Sequence, residues 1–318
     1  MVMVRVSQGL GNQMFQYAFG EIIKKKYGIE VLYDTSFLAK NISGRKMRNT
    51  REIFLVPFKE ADLREVRKYS GRPVYDVPFF YEWLRKQETL FYIMNAITWK
   101  LRKRNHVLIE EPEYWNIPKE FTRRIKNQVY SGSKNYYFNG FWEDISYIKN
   151  CRNFLRERFA FRISEDLKCR YAQIMEGEYV SVHIRRGDYI SKSGSDFRFD
   201  LCAESYYKEA LRLVKKRLGS IRIAVFSDDM NYAKELLKEE TDIIFAEGSK
   251  DYEDLWLMSR CSHNIIANST FSFWAAFLNE NASQIAVAPV YHYFKNTGTE
   301  WKKVKFPVLE DWIQVKNG

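Results

Sequence analysis

Arg185 and Arg186 stand side by side at the end of the apolar run Tyr179-Val180-Ser181-Val182-His183-Ile184 and are followed by Gly187-Asp188-Tyr189. A run of this kind, rich in β-branched and aromatic residues, reads as a buried strand, which puts both guanidinium groups at its carboxyl end. Each guanidinium is a planar fork of donors that can engage a phosphate or carboxylate through two parallel bonds. The pair therefore suits an oxygen-rich anion. The alternative is a structural ion pair between one arginine and Asp188, and this stretch by itself leaves the two readings even. His183 precedes Arg185 by two residues and so shares its face of the strand. A lone histidine is more often a satisfied structural group than a catalyst.

Two further polar clusters follow apolar runs: Ser227-Asp228-Asp229 and Asn268-Ser269-Thr270, the second opening a helix at Phe271. A carboxylate at Asp228 or Asp229 matches the adjacent N–H and amine donors of a guanine; equally, one of them can cap the helix that follows. Hydroxyls and helix-terminal amides at Asn268, Ser269 and Thr270 suit a phosphate, with Phe271 or Phe273 against a base or sugar. Here the alternative is that Ser269 or Thr270 simply caps a core helix. Near the start, Gly9-Leu10-Gly11 offers backbone N–H groups at a helix N-terminus, but Met14 occupies the third glycine position of a dinucleotide fingerprint. A glycine turn with Asn12 as the cap is the competing reading. Asp228 and Asp229 are adjacent rather than spaced, and no histidine cluster accompanies them, so a metal-bridged diphosphate is not expected. Nothing resembles a Ser-His-Asp triad.

The elements that must carry these clusters alternate regularly. Strands are expected at 178–184, 221–226, 242–245, 263–267 and 284–288, with helices at 164–175, 204–218, 231–238, 251–260 and 271–279. This alternation implies a doubly wound parallel sheet, whose parallel strands bring the three polar clusters to one edge. At the start, a strand at Val2–Val6, a helix at Gln13–Tyr27 stopped by Gly28, and a strand at Ile29–Tyr33 form a second such unit. Between 35 and 160, Glu60–Tyr69 and Glu82–Arg104 have helical character and Tyr136–Phe138 reads as a strand. The basic cluster Lys100–Arg104 reads as a solvated helix end, with weak docking on an anionic membrane as the alternative.

A chain of 318 residues exceeds the usual size of one core, which predicts two domains meeting near 150–160. Hydrophobic residues at 46% and aromatics at 16% exclude a largely disordered chain. A formal charge of +11 favours anionic partners without choosing among nucleotides, nucleic acid and a membrane surface. No apolar run approaches the ~20 residues that span a bilayer, and Met1–Val6 is too short for a signal peptide. Cys151, Cys169, Cys202 and Cys261 are widely spaced, so neither a disulfide scaffold nor a zinc site is expected and a reducing cytoplasm is the default.

Four segments resemble glycosyltransferase family 11, the α-1,2-fucosyltransferases. They are Gly9-Leu10-Gly11-Asn12-Gln13-Met14-Phe15-Gln16-Tyr17-Ala18, His183-Ile184-Arg185-Arg186-Gly187-Asp188-Tyr189, Phe226-Ser227-Asp228-Asp229-Met230, and Asp254-Leu255-Trp256-Leu257-Met258-Ser259 continuing to Ile266-Ala267-Asn268-Ser269-Thr270-Phe271-Ser272-Phe273-Trp274-Ala275-Ala276. They fall in family order. Two departures stand out: Ser7-Gln8 where the family usually shows Gly-Gly, and Phe273 where it shows tryptophan.

The resemblance implies an α/β, GT-B-like fold of two Rossmann-like domains facing a cleft. Residues 1–155 would form the acceptor side, with a donor-reaching glycine loop at 7–13. Residues 156–318 would form the nucleotide-sugar domain, a doubly wound parallel sheet. It further implies inverting, metal-independent transfer of L-fucose from GDP-β-L-fucose to the 2-hydroxyl of a terminal galactoside, in the cytoplasm or at the inner face of the membrane. Neither a cofactor nor a nucleic-acid partner is implied. Carried over by motif, Arg185 and Arg186 resemble the pair facing the diphosphate, Arg186 leading, within a catalytic set that includes His183 and Asp188. Asp188 serves either as base or to orient the arginines. Asp228 or Asp229 resembles the guanine contact; Asn268, Ser269, Thr270 and Phe271 resemble the phosphate and base seat; Gly9, Gly11 and Asn12 resemble the loop that reaches toward the donor. Rival readings are a fucosyltransferase of another linkage, a transferase of another GDP-sugar, and a module binding nucleotides or single-stranded nucleic acid.

Overall fold

The computed structural model describes residues 2–34, 106–110, 135–159, 161–191 and 197–318. The expected helices Glu60–Tyr69 and Glu82–Arg104, with the basic cluster at 100–104, lie outside the described residues. The chain divides into two compact units, the first ending at Cys151 and the second running on from Arg152. Among the described residues no helix is long and apolar enough to cross a membrane.

In the first unit, strands β1 (Val2–Arg5), β2 (Val31–Asp34), β3 (His106–Glu110) and β4 (Asn135–Asn139) form a parallel sheet of order β2-β1-β4-β3. Strand β3 has no counterpart in the sequence-based expectations. The helix joining β1 to β2 spans Leu10–Tyr27 and starts earlier than its expected onset at Gln13. Gly9 in extended conformation is its N-cap, and the Gly9 carbonyl accepts from the Gln13 N–H at 3.0 Å. Gly11 and Asn12 therefore lie within the first turn, and Asn12 is not the cap. At the other end Lys24, Lys25 and Lys26 complement the helix dipole, and Gly28, at φ 64°, donates its N–H to the Lys24 carbonyl at 2.9 Å. The helix packs its aromatic side on the sheet: the Phe19 ring stacks on Trp142 with centroids 4.4 Å apart and meets Phe138 edge-on at 5.2 Å.

The second unit is built on six parallel strands: β5 (Tyr179–Ile184), β7 (Arg222–Ser227), β8 (Ile243–Phe245), β9 (His263–Ile265), β10 (Ala286–Pro289) and β13 (Ile313–Val315). Their order is β13-β10-β9-β5-β7-β8, and every residue of the central β5 is buried. Helices Glu204–Leu218 and Asp251–Arg260 have the expected bounds. Tyr206, Tyr207, Ala210, Leu211 and Val214 recur at helical spacing on the buried face of the former and pack on Val180, Val182 and Ile184. A buried amide network ties the strands to the helices. Asn264 Nδ2 donates to Ser181 Oγ at 2.7 Å and to the Met258 carbonyl at 2.8 Å, while its Oδ1 accepts from Asn279 and Gln284. All four bonding positions of the side chain are thus used, which removes the cost of burying it.

Two differences from expectation stand out. The helix expected over 164–175 is two, Glu165–Arg170 and Ala172–Glu176. Tyr171 breaks it, because its buried ring carries a hydroxyl that donates to the Glu247 carbonyl at 3.0 Å and accepts from the Glu247 N–H at 3.2 Å. Strands β6 (Phe197–Phe199), β11 (Tyr291–Asn296) and β12 (Trp301–Lys305) form a separate antiparallel sheet of order β12-β11-β6, which the parallel pattern did not anticipate. Finally, the C-terminus of helix Thr270–Leu278 is closed by arginines. Arg152 donates from Nε to the Phe277 carbonyl at 2.6 Å and through a terminal nitrogen to the Ala276 and Asn279 carbonyls; Arg156 bonds the Leu278 and Asn279 carbonyls.

Candidate functional site

Within the second unit the chain winds from β5 outward through β7 to β8, then returns to the other side of β5 at β9 and continues to β10 and β13. The strand order reverses between β5 and β9, and ligands of open α/β sheets bind beyond the carboxyl ends of the strands at such a reversal. Arg185 and Arg186 follow β5, Asn268-Ser269-Thr270 lie just beyond β9, and Asp228-Asp229 follow β7. The three clusters expected to converge do lie at one edge of the sheet.

Register decides how they meet. β5 and β7 pair Ile184 with Ser227, so the next residues along, Arg185 and Asp228, face each other. Arg185 reaches Asp228 Oδ2 at 3.0 Å, and Asp228 Oδ1 accepts from the Arg186 backbone N–H at 2.8 Å. The Arg186 guanidinium lies 3.8 Å over the Tyr232 ring and 3.5 Å from Asp229 Oδ2 through Nε. Asp229 also caps helix Met230–Leu236, its Oδ1 accepting from the Tyr232 N–H at 3.1 Å. On the other side, the Arg185 guanidinium lies 5.5 Å from the Tyr189 ring, which stacks on Phe199 at 3.6 Å. The arginines thus pair with Asp228 and Asp229, the carboxylates foreseen for a guanine, and Asp229 is also the helix cap foreseen as the alternative. Asp188 falls in the helical turn Gly187–Ser191; its side chain lies outside the described residues. Both guanidinium groups remain partly open, at 25% and 28% side-chain exposure, so an incoming anion can reach them.

Gly187 is required by the same geometry. A Cβ there would stand 2.9 Å from Asp228 Oδ2 and 3.2 Å from its Cγ.

His183 lies beneath the arginines, buried, with its ring 5.5 Å from that of Phe271. Burial, and secondarily the charge of Arg185, push its pKa down to about 3. The imidazole is therefore neutral near pH 7. Asn268 is spent on the scaffold: its Nδ2 donates to the Asp200 and His292 carbonyls at 2.9 and 2.8 Å, and its carbonyl accepts from the Tyr189 hydroxyl. Ser269 is the N-cap residue of helix Thr270–Leu278, yet its hydroxyl makes no capping bond. Ser269 donates its N–H to the Ala267 carbonyl at 2.8 Å and is buried, as is Thr270, so what this helix start offers an anion is the positive end of its dipole. Gly9, Gly11 and Asn12 belong to the first unit and sit at the start of helix Leu10–Tyr27.

Three residues at this edge were not singled out from the sequence. Tyr189 and Tyr232 supply aromatic faces for the guanidinium groups, a role that only the local packing reveals. Asp254, in the first turns of helix Asp251–Arg260, bonds the Ser249 hydroxyl, and burial raises its pKa to about 7; its signal was the acidic residue opening an otherwise apolar stretch. Among the described residues no group of three or more His, Cys, Asp or Glu side chains is arranged to hold a metal ion.

The model of glycosyl transferase family 11 matches residues 1–316. The chain is 31% identical to the O-antigen biosynthesis glycosyltransferase WbnK of Escherichia coli, over 98% of this chain and 99% of that one. It is 29% identical to an alpha-1,2-colitosyltransferase of Escherichia coli over 99% of both chains, and 28% identical to galactoside alpha-(1,2)-fucosyltransferase 2 of Gorilla gorilla gorilla over 69% of this chain and 64% of that one. The crystal structure of POFUT1 in complex with GDP covers 90% of this chain and 97% of its own at a TM-score of 0.50 and 12% identity, so the two share the GT-B-like α/β fold. With a family match spanning nearly every residue and relatives aligned end to end, the chain belongs to glycosyl transferase family 11.

Proposed function

We propose that the protein transfers L-fucose from GDP-β-L-fucose to the 2-hydroxyl of a terminal galactoside in a surface glycan, with inversion and without a metal ion, in the cytoplasm. The observation that carries this reading is the pair of partly exposed guanidinium groups at the strand-order reversal, beside the N-terminus of helix Thr270–Leu278. In this reaction the bond from the fucose anomeric carbon to the β-phosphate oxygen breaks as the acceptor oxygen bonds that carbon, so negative charge grows on the departing GDP. Arg185 and Arg186, already oriented by Asp228, Asp229 and two tyrosine rings, receive that charge without reorganising, the most effective form of electrostatic catalysis. Asp228 and Asp229 thereby act on the arginines rather than on the base of the nucleotide. Asp188, the carboxylate of the same motif, is assigned the proton of the acceptor hydroxyl.

Support for the donor comes from the motifs and from full-length relatives in sugar transfer. A second reading, transfer of colitose from its GDP form, is favoured by the 29% identity to an alpha-1,2-colitosyltransferase over 99% of the chain. Purified protein incubated with either GDP-sugar and a panel of terminal galactosides, followed by linkage analysis, tests both. Formation of an α-1,2 product from GDP-fucose is expected. Stabilisation by oligonucleotides but not by GDP, with no transfer, would replace both readings with nucleic-acid binding.

A further inference from the structure

The first unit has a strand-order reversal of its own. In the order β2-β1-β4-β3 the chain passes from β1 to β2 on one side, and β4 pairs with the other side of β1. The segments leaving the parallel strands β1 and β4 therefore lie side by side at the carboxyl edge. Each contains a non-glycine residue in the left-handed region, Gln8 at φ 73° and Trp142 at φ 58°. Such residues are uncommon and gather at functional sites, where the surroundings hold them against their preference. Gln8 stands where the family pattern has glycine, which is the residue this backbone conformation favours.

Two buried amide side chains from helix Leu10–Tyr27 do the holding. Gln13 donates from Nε2 to the Gln8 carbonyl at 2.8 Å. Gln16 is 1% exposed and links the two segments: its Oε1 accepts from the Ser7 N–H at 2.8 Å, and its Nε2 donates to the Gly140 carbonyl at 2.9 Å. The bonding fixes the amide's orientation, because a flip would set oxygen against the Gly140 carbonyl and nitrogen against the Ser7 N–H. Its neighbours along the helix, Met14, Phe15, Ala18 and Phe19, are all buried apolar residues. An amide among them is justified by what it bonds, and it bonds only the two edge segments: the Ser7 N–H, the Gly140 carbonyl and, more distantly, Ser7 Oγ at 3.4 Å.

We propose that Gln16 is a positioning residue for glycosyl transfer, fastening the segments at Ser7–Gly9 and Gly140–Trp142 into one rigid rim that orients the acceptor sugar. The inference rests on the proposed function. Gln16→Glu keeps volume and the acceptor for Ser7 while losing the donor to Gly140, and Gln16→Leu loses both bonds. Against a wild-type protein active with GDP-fucose and a galactoside, the acceptor KM is expected to rise about tenfold or more in Gln16→Leu and by less in Gln16→Glu, since small misplacements of a reacting group are costly in rate. An acceptor KM unchanged in Gln16→Glu and Gln16→Leu, with turnover reduced only in proportion to folded protein, overturns the inference. If Gln16→Leu fails to fold, Gln16→Glu decides alone. A wild-type protein that binds GDP but transfers no sugar overturns the functional reading and this inference with it, a result distinct from an active wild type with an insensitive KM.

Discussion

Gly187→Ala isolates the contribution of the arginine brace without removing any charge. The added methyl would stand 2.9 Å from Asp228 Oδ2, whereas carbon and oxygen in contact normally sit at about 3.3–3.6 Å. The carboxylate must retreat by about half an ångström, but it is held from two sides, by Arg185 at 3.0 Å and by the Arg186 N–H at 2.8 Å. Such a retreat breaks or stretches one of these contacts. Because the ion pair is about a quarter exposed on each side, the loss of that contact is worth about 1 kcal/mol rather than the value for a fully buried pair. Local overpacking adds roughly 1 kcal/mol. GDP affinity should therefore fall about 5- to 30-fold, with a melting temperature lowered by only a few degrees. Calorimetric titration with GDP at fixed ionic strength measures the first quantity. In an Asp228→Ala background the collision is gone, and Gly187→Ala should cost little more. Equal penalties in the two backgrounds, or a GDP Kd within twofold of wild type in Gly187→Ala, would refute the reasoning.

Three other outcomes are expected. With donor saturating, Arg186→Ala should lower turnover about 10²- to 10³-fold; near wild-type turnover would remove its leading role. Burial pushes the pKa of both His183 and His292 down to about 3, below the ordinary value near 6.5. The unfolded chain then binds protons that the folded one does not, so stability is complete above about pH 6.5 and falls by about 2 kcal/mol per histidine by pH 5; urea midpoints that do not move between pH 7.5 and 5 in an Asp254→Asn background would contradict this. Asp254 behaves in the opposite sense. Its pKa is raised to about 7, so the folded state holds the proton longer and stability drains away as pH rises from about 4 to 7. Asp254→Asn keeps an oxygen for Ser249 and should gain on the wild type across that window, by at most about 4 kcal/mol above pH 7. A difference independent of pH would count against the assignment.

The second unit was legible in the sequence because its strands are short apolar runs and its helices are amphipathic, so that Glu204–Leu218 and Asp251–Arg260 have the bounds that periodicity predicts. The antiparallel sheet was not. β11 reads Tyr-His-Tyr-Phe-Lys-Asn and β12 Trp-Lys-Lys-Val-Lys, and neither run has the continuous apolar character of a buried parallel strand. The site divides along the same line. That Arg185, Asp228 and Ser269 share one edge follows from parallel topology alone; that Arg185 pairs with Asp228 depends on the register of Ile184 with Ser227, which no local pattern encodes. Asn268 looked like a ligand donor because its type permits it, and only the positions of the Asp200 and His292 carbonyls reveal that its amide is already used.

The arginines that close helix Thr270–Leu278 have an electrostatic consequence at its far end. A helix carries about half a positive charge at its start and half a negative charge at its finish, and over nine residues these poles stand only about 13 Å apart. An anion approaching the start is thus partly repelled by the finish. Arg152 and Arg156 bring two cations onto the terminal carbonyls, so the negative pole is cancelled where it arises. What remains at Ser269 and Thr270 is close to an unopposed positive pole, and a nine-residue helix attracts an anion as a much longer one would.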